Sequence, residues 1–217
     1  MTKHLRLAIA SVTFALFVQG MEAKDYYAAD FGASPDGVTL NTACIQAAID
    51  YASASGGGRV ILSPGKYLCG SIYLKNGVDL HLEAGAPLLG SVNPWDYVKD
   101  PYIRWTAFIF AVKQHDIALT GEGVVDCRGF EVANQMVQYI HRGLFEDELK
   151  LDRPQESNRP EDIHFRECRN VTIQDVTLMN PACWTQQYEL CDNLLIERVK
   201  VDAKAYWNND GLDIVDC

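Results

Sequence analysis

Two stretches near the end of this 217-residue chain, CRNVTIQDVTLMN and CDNLLIERVKVDA, superimpose without a gap. Cys168 falls on Cys191, Asn170 on Asn193 and Val176 on Val199, at a constant offset of 23 residues. Each unit opens Cys-x-Asn and continues with alternating apolar positions broken by a two-residue corner, so it specifies two short strands with one apolar face. A unit this small cannot bury that face alone and must stack on copies of itself. Strand-corner-strand units stack most simply as the coils of a parallel β-helix. Fainter copies lie at KNGVDLHLEAG and QHDIALTGEGVVD, and Cys217, 26 residues after Cys191, would open another. A leucine-rich repeat would want a Leu-rich consensus that is missing, and a β-sandwich does not predict an ungapped repeat.

Ahead of the repeats, RVIL, YLCGSIYL and VDLHL read as short strands between Pro-Gly, Asn-Gly and Ala-Gly breaks. Ile45, Ala48, Ile49 and Ala52 recur at helical spacing instead. Asn41 is a candidate N-cap for that helix, and Gly56, Gly57 and Gly58 end it. Such a helix would cover the first coil, whose open edge otherwise invites aggregation. A second, short helix is expected around Val132, Met136 and Ile140, within a charged excursion that breaks the repeat. Excursions from a solenoid usually lie beside its binding face.

The corner positions carry two readings each. Cys168, Cys191 and Cys217 would lie in line along the axis, as small buried side chains or as a disulfide between coils. The Asn-Val-Thr at Asn170 fits a glycosylation sequon, with a corner amide as its structural meaning. The seven cysteines show no Cys-x-x-Cys spacing, and no His-x-x-x-His occurs, so no metal site is expected.

Lys3, His4 and Arg6 precede the apolar stretch LAIASVTFALFV, which reads as a signal peptide over residues 1–20, cut after Gly20 or after Ala23, with an uncleaved anchor as the alternative. The mature domain would span 21–217, secreted or periplasmic, with no membrane association after cleavage. A formal net charge of −10 argues against nucleic acid as a partner. A polyanionic sugar would need a local basic patch to offset that field.

The chain closes on KAYWNNDGLDIVDC. On residue chemistry alone its Asn-Asp-Gly is a turn or a catalytic block. Trp207, Tyr206 and Trp184 could offer flat faces to sugar rings, while Trp184 and Tyr188 read equally well as packing residues.

These stretches together resemble glycoside hydrolase family 28, the polygalacturonase family. The likeness runs through ADFGASPDGVTLNTACIQAAID, GGGRVILSPGKYLCGSIYLKNGVDLHLEAGAPLLGS, ALTGEGVVDCRG, RPEDIHFRECRNVTIQDVTLMNPACWT and WNNDGLDI. It implies an all-β, right-handed parallel β-helix with an N-terminal capping helix, hydrolysing glycosidic bonds of pectic polysaccharide with inversion. The family's first motif, Asn-Thr-Asp-Gly-x-Asp, is matched by Asn208 to Asp213, with Asn209 in place of Thr. The resemblance then makes Asp210 the water-activating carboxylate, with Asn208, Asp213 and Trp207 at the substrate. No cofactor is expected, and the protein would act as a monomer on pectic polysaccharide.

The family's Asp-Asp pair, Gly-His-Gly and Arg-x-Lys have no counterpart here, so the expectation is a C-terminally truncated β-helix, an incomplete and inactive fragment. Asp210 and Asp213 lie three apart and would face opposite sides of a straight strand, so they share a cleft only if Gly211 permits a bend. Two other functions fit the same fold. A Ca²⁺-dependent pectate lyase would want clustered carboxylates and an Arg base. A non-catalytic carbohydrate-binding or structural β-helix would want no catalytic pair at all.

Overall fold

The computed structural model describes residues 24–148 and 152–217. The proposed signal peptide, residues 1–20, lies outside the described residues. From Asp25 onward the chain winds through coils that each deliver short strands to parallel sheets in turn. The first coil holds β1 (Asp25–Tyr27) and β2 (Asp36–Leu40), and helix α1 (Thr42–Ala54) follows. The second contributes β3 (Gly58–Leu62), β4 (Lys66–Cys69) and β5 (Ile72–Tyr73). The third holds β6 (Val78–Leu82), β7 (Pro87–Gly90) and β8 (Ala107–Val112). In the fourth, β9 (His115–Thr120) and β10 (Val124–Asp126) precede helix α2 (Gly129–His141), and β11 (Glu161–Arg166) completes the turn. The fifth runs β12 (Arg169–Gln174), β13 (Thr177–Met179) and β14 (Gln186–Glu189). The sixth runs β15 (Asp192–Glu197), β16 (Lys200–Asp202) and β17 (Asp213–Val215).

Three parallel sheets result: a first of β1-β3-β6-β9-β12-β15, a second of β2-β4-β7-β10-β13-β16 and a third of β5-β8-β11-β14-β17. The architecture is the right-handed parallel β-helix expected from the repeat and the resemblance. The 23-residue offset is the strand register itself, since Val171 pairs with Leu194, Ile173 with Ile196 and Thr177 with Lys200.

Stacking in register turns each inward position into a column of like side chains. Val60, Leu80, Leu119, Ile173 and Ile196 form one such aliphatic column in the first sheet. In the third, Ile72, Ile109 and Ile163 form another. Each buried aliphatic side chain contributes roughly 1.5–3 kcal/mol through area removed from water.

The corners rely on the same translation. Asp116, Asn170 and Asn193 occupy left-handed backbone at φ 55°, 54° and 56°, which short polar side chains tolerate best after glycine. Asn193 Nδ2 donates to Asn170 Oδ1 at 2.9 Å, and Asn170 Nδ2 donates to Asp116 Oδ1 at 2.6 Å. The amide of Asn170 therefore belongs to a corner ladder. All seven cysteines are free, and Cys168, Cys191 and Cys217 do stack along the axis, with Cys191 N–H donating to Cys217 Sγ at 3.3 Å.

Helix α1 buries Ile45, Ala48, Ile49 and Ala52, as its spacing predicts, and packs on β1, β3, β5 and β6. Asn41 holds the N-cap position, but its side chain makes no capping bond. Its Oδ1 accepts from Ser34 N–H at 2.7 Å, and its Nδ2 donates to Thr39 O at 2.7 Å. The buried amide is used to close the preceding loop. After the helix, Gly57 at φ 97° passes so near the next coil that a Cβ would sit 2.7 Å from Gly77 O. Helix α2 buries Val132, Met136 and Ile140, again as the spacing predicts. None of the described helices is long and apolar enough to cross a membrane.

Candidate active site

Between β16 and β17 the chain leaves the coil for the segment 203–212, which carries Trp207, Asn208 and Asp210. An extra-coil segment needs partners for its backbone polar groups. Arg159, fully buried just before β11, supplies them. Its Nη1 donates to Trp207 O at 2.7 Å and to Ala182 O at 2.6 Å, its Nη2 to Asn208 Oδ1 at 2.8 Å, and its Nε to Pro154 O at 3.0 Å. The rigid planar fork suits this task, since several acceptors are met with little further ordering. Asn208 is thereby held in left-handed backbone at φ 58°.

Asn209, the residue that departs from the family's motif, is a second tie. Its Oδ1 accepts from Tyr206 N–H at 2.6 Å, and its Nδ2 donates to Cys183 O at 3.0 Å and Pro181 O at 3.3 Å. Two further bonds fasten the loop to the previous coil: Thr185 N–H to Asp210 O at 2.8 Å, and Gln186 Nε2 to Gly211 O at 3.1 Å.

So fixed, Asp210 presents an exposed side chain, while Asp213 is half-buried in register with Gln187. Burial pushes the Asp213 carboxyl above its usual range, and the charge of Asp210 pushes it further. The two carboxylates are therefore in electrostatic reach of one another. The chain bends at Gly211, and β17 begins only at Asp213, so Asp210 lies outside the strand and the alternation of a straight strand does not govern the pair. That bend needs no left-handed glycine: Gly211 is absent from the positive-φ residues, and a Cβ there would touch only Val201 Cγ1 at 3.5 Å.

The aromatic side chains divide into two groups. Trp184 packs on Trp105 with ring centres 4.6 Å apart, and buried Tyr188 meets Phe165 edge-on at 5.8 Å. Trp207 is 60% exposed, and the Arg153 guanidinium lies over its ring, 5.3 Å from the centroid.

Sequence reasoning did not single out Arg153, Arg159, Glu161 or His164. Glu161 and His164 are fully buried on β11, with His164 Nδ1 2.7 Å from Glu161 Oε2 and Nε2 3.5 Å from Glu189 Oε1. The groups are close enough for ion pairing yet not aligned as hydrogen bonds. Glu189 also pairs with Arg166. Burial pushes the Glu161 carboxyl up to about 7 against the pull of His164, and Glu189 and Asp213 add to the rise. The signal available beforehand was the acid pair and histidine alternating with Ile163 and Phe165 in RPEDIHF. Among the described residues, no group of three or more His, Cys, Asp or Glu side chains is arranged to hold a metal ion.

Set beside known proteins, residues 71–217 match the glycosyl hydrolases family 28, and residues 27–92 match a rhamnogalacturonase A/epimerase, pectate lyase-like family. A probable polygalacturonase of Vitis vinifera is 29% identical over 205 residues, which cover 87% of this chain and 39% of that protein. Among solved structures, a protein of Parabacteroides merdae provisionally described as a glycosyl hydrolase superimposes with a TM-score of 0.79 at 35% identity, covering 89% of this chain and 81% of that one. A family 28 exopolygalacturonase of Yersinia enterocolitica gives 0.74 at 26% identity, covering 89% of this chain and 41% of that one. This chain thus spans well under half the length of the curated relative and of the Yersinia enzyme.

Proposed function

Because this chain belongs to glycosyl hydrolases family 28, we propose that its 203–213 segment forms part of a site that hydrolyses glycosidic bonds in a pectic polysaccharide. The carrying observation is the clamped loop, which holds an exposed Asp210 near enough to half-buried Asp213 for their charges to interact. Inverting hydrolysis needs a carboxylate that draws a proton from water and, roughly 6.5–9.5 Å away, an acid that protonates the departing oxygen. Asp210 has the exposure of the first: a solvated carboxylate is ionised across the neutral range without special tuning. Asn208, with Oδ1 held by Arg159, leaves its amide hydrogens for substrate oxygens. Trp207 offers its open face to a sugar ring. Protonation of the leaving group is assigned to no residue of this chain. We place the protein outside the cytoplasm, in the periplasm or the medium, acting as a monomer on polymer.

The test compares products released from polygalacturonate by the protein that carries this chain and by its Asp210→Asn variant. Turnover should fall by about 10²–10⁴-fold in the variant, with the first-formed reducing end inverted by proton NMR. An unsaturated sugar end would instead mark a lyase. Full turnover in Asp210→Asn, or binding without turnover by the unaltered protein, would sink the hydrolytic reading and favour a carbohydrate-binding role.

A further inference from the structure

A chain with a formal net charge of −10 repels an anionic polysaccharide over most of its surface, so recognition of one requires a local cation left free to meet it. Most guanidinium groups near carboxylates are already engaged: Arg59 pairs with Asp25, Arg166 with Glu189, and Arg198 with Asp175. Among the described residues Arg142 is exposed and unpaired too, over the ring of Tyr139, but of the two it is Arg153 that meets the candidate loop. It is exposed, no carboxylate among the described residues pairs with it, and its guanidinium rests over the indole of Trp207. Arg159 lies near enough to feel its charge, so two cations share this end of the molecule beside Tyr206.

We propose that Arg153 and Trp207 form a uronate subsite next to Asp210, in which the indole carries the flat C–H face of the sugar and Arg153 reads its carboxylate. This rests on the reading of Asp210 as part of a hydrolytic site, and it adds a specificity-determining residue from outside the motif. The platform is preorganised at both members. Trp207 is fixed through its carbonyl, which accepts from Arg159 Nη1 at 2.7 Å, so its exposed ring hangs from a rigid backbone. Arg153 already lies over the ring, so its rotamer freedom is reduced before ligand arrives. A hexuronate ring laid on the indole carries its carboxylate at the ring edge. There a guanidinium can take both oxygens in a charge-assisted bidentate pair. Asp210 stands three residues further along the same clamped loop.

The discriminating probes are trigalacturonate and its methyl ester, which share shape and differ in charge, titrated into the isotope-labelled protein at fixed ionic strength. Arg153→Ala should weaken trigalacturonate by about tenfold and leave the ester unchanged. Arg153→Lys should recover part of that loss, and Trp207→Ala should weaken both probes. Raising salt should weaken trigalacturonate binding more in the unaltered protein than in Arg153→Ala. Equal binding of both probes by Arg153→Ala and the unaltered protein overturns the subsite. So does an equal loss of both probes, because it would make Arg153 a mere support for the indole. Far-UV circular dichroism of each variant separates misfolding from lost contacts. Asp210→Asn that still hydrolyses would defeat the catalytic reading while leaving the charge discrimination of Arg153 standing.

Discussion

Asn193 and Asn208 share a backbone conformation, φ 56° and 58°, and differ in everything that maintains it. In the corner ladder, Asn193 bonds Asn170 in the coil beside it, and Asn170 bonds Asp116 in the coil before that. Each member is held by a copy of itself, and translation along the axis does the rest. In the loop, Asn208 is held by Arg159, which lies 49 positions earlier and outside the repeat. A repeated corner spends its amide donors on its neighbours along the axis. A loop clamped from behind by one buried side chain keeps its outer face, here Trp207 and Asp210, open to solvent. Regular coil and candidate site thus use the same residue type for opposite purposes.

The strongest challenge to that contrast is Arg159→Ala. It removes the guanidinium donor from Trp207 O, Ala182 O, Pro154 O and Asn208 Oδ1 at once, leaving Trp207 O only a long bond from Asn209 Nδ2, so stability should fall by about 3–5 kcal/mol. Amide hydrogen exchange should accelerate most at Tyr206 to Asp210. Exchange that speeds up evenly along the solenoid would show that the clamp has no special relation to the loop.

A smaller effect is expected from the buried acid behind the loop. The Glu161 carboxyl titrates near 7 in the folded protein against 4.5 when free. The folded state therefore holds its proton more tightly than the unfolded state does. Stability is then lost as pH rises from about 4.5 to about 7, by about 1–3 kcal/mol. In Glu161→Gln that decline should flatten, leaving the variant the more stable protein at pH 8. Parallel urea midpoints for the two proteins between pH 4 and pH 8 would refute this assignment.

The ladder should respond least, because its neighbours share the load. Asn170→Ala loses two side-chain bonds and the short polar side chain that tolerates left-handed backbone, a cost of about 1–2 kcal/mol. Asn170→Gly restores the backbone and forfeits only the amide, so it should cost less. If glycine proves as damaging as alanine, the bonds, and not the conformation, dominate the corner.

Much of the solenoid could be read from residues alone, because every contact that builds it recurs at a short, constant spacing. The offset from Cys168 to Cys191 is the strand register, and the spacing of Ile45, Ala48, Ile49 and Ala52 is the buried face of α1. Asn41 shows the limit even there: its position was readable, but its bonds to Ser34 and Thr39 were not, because a buried amide satisfies whichever partners the fold brings near. At the site, the motif located Asn208, Asp210 and Asp213. Its pattern could not say that Asn209 ties the loop to Pro181 and Cys183, nor that the charge of Asp210 reaches Asp213.

What the sequence determined by itself is therefore everything set by periodicity: coil length, inward columns, corner amides and the two helices. Tertiary structure alone decided which distant groups meet at the motif. Arg159 reaches Asn208, Arg153 settles on Trp207, and Glu161 is sealed beside His164. Those encounters depend on how an irregular excursion folds back across the coils. A long-range contact made once has no period, so nothing in the local pattern announces it.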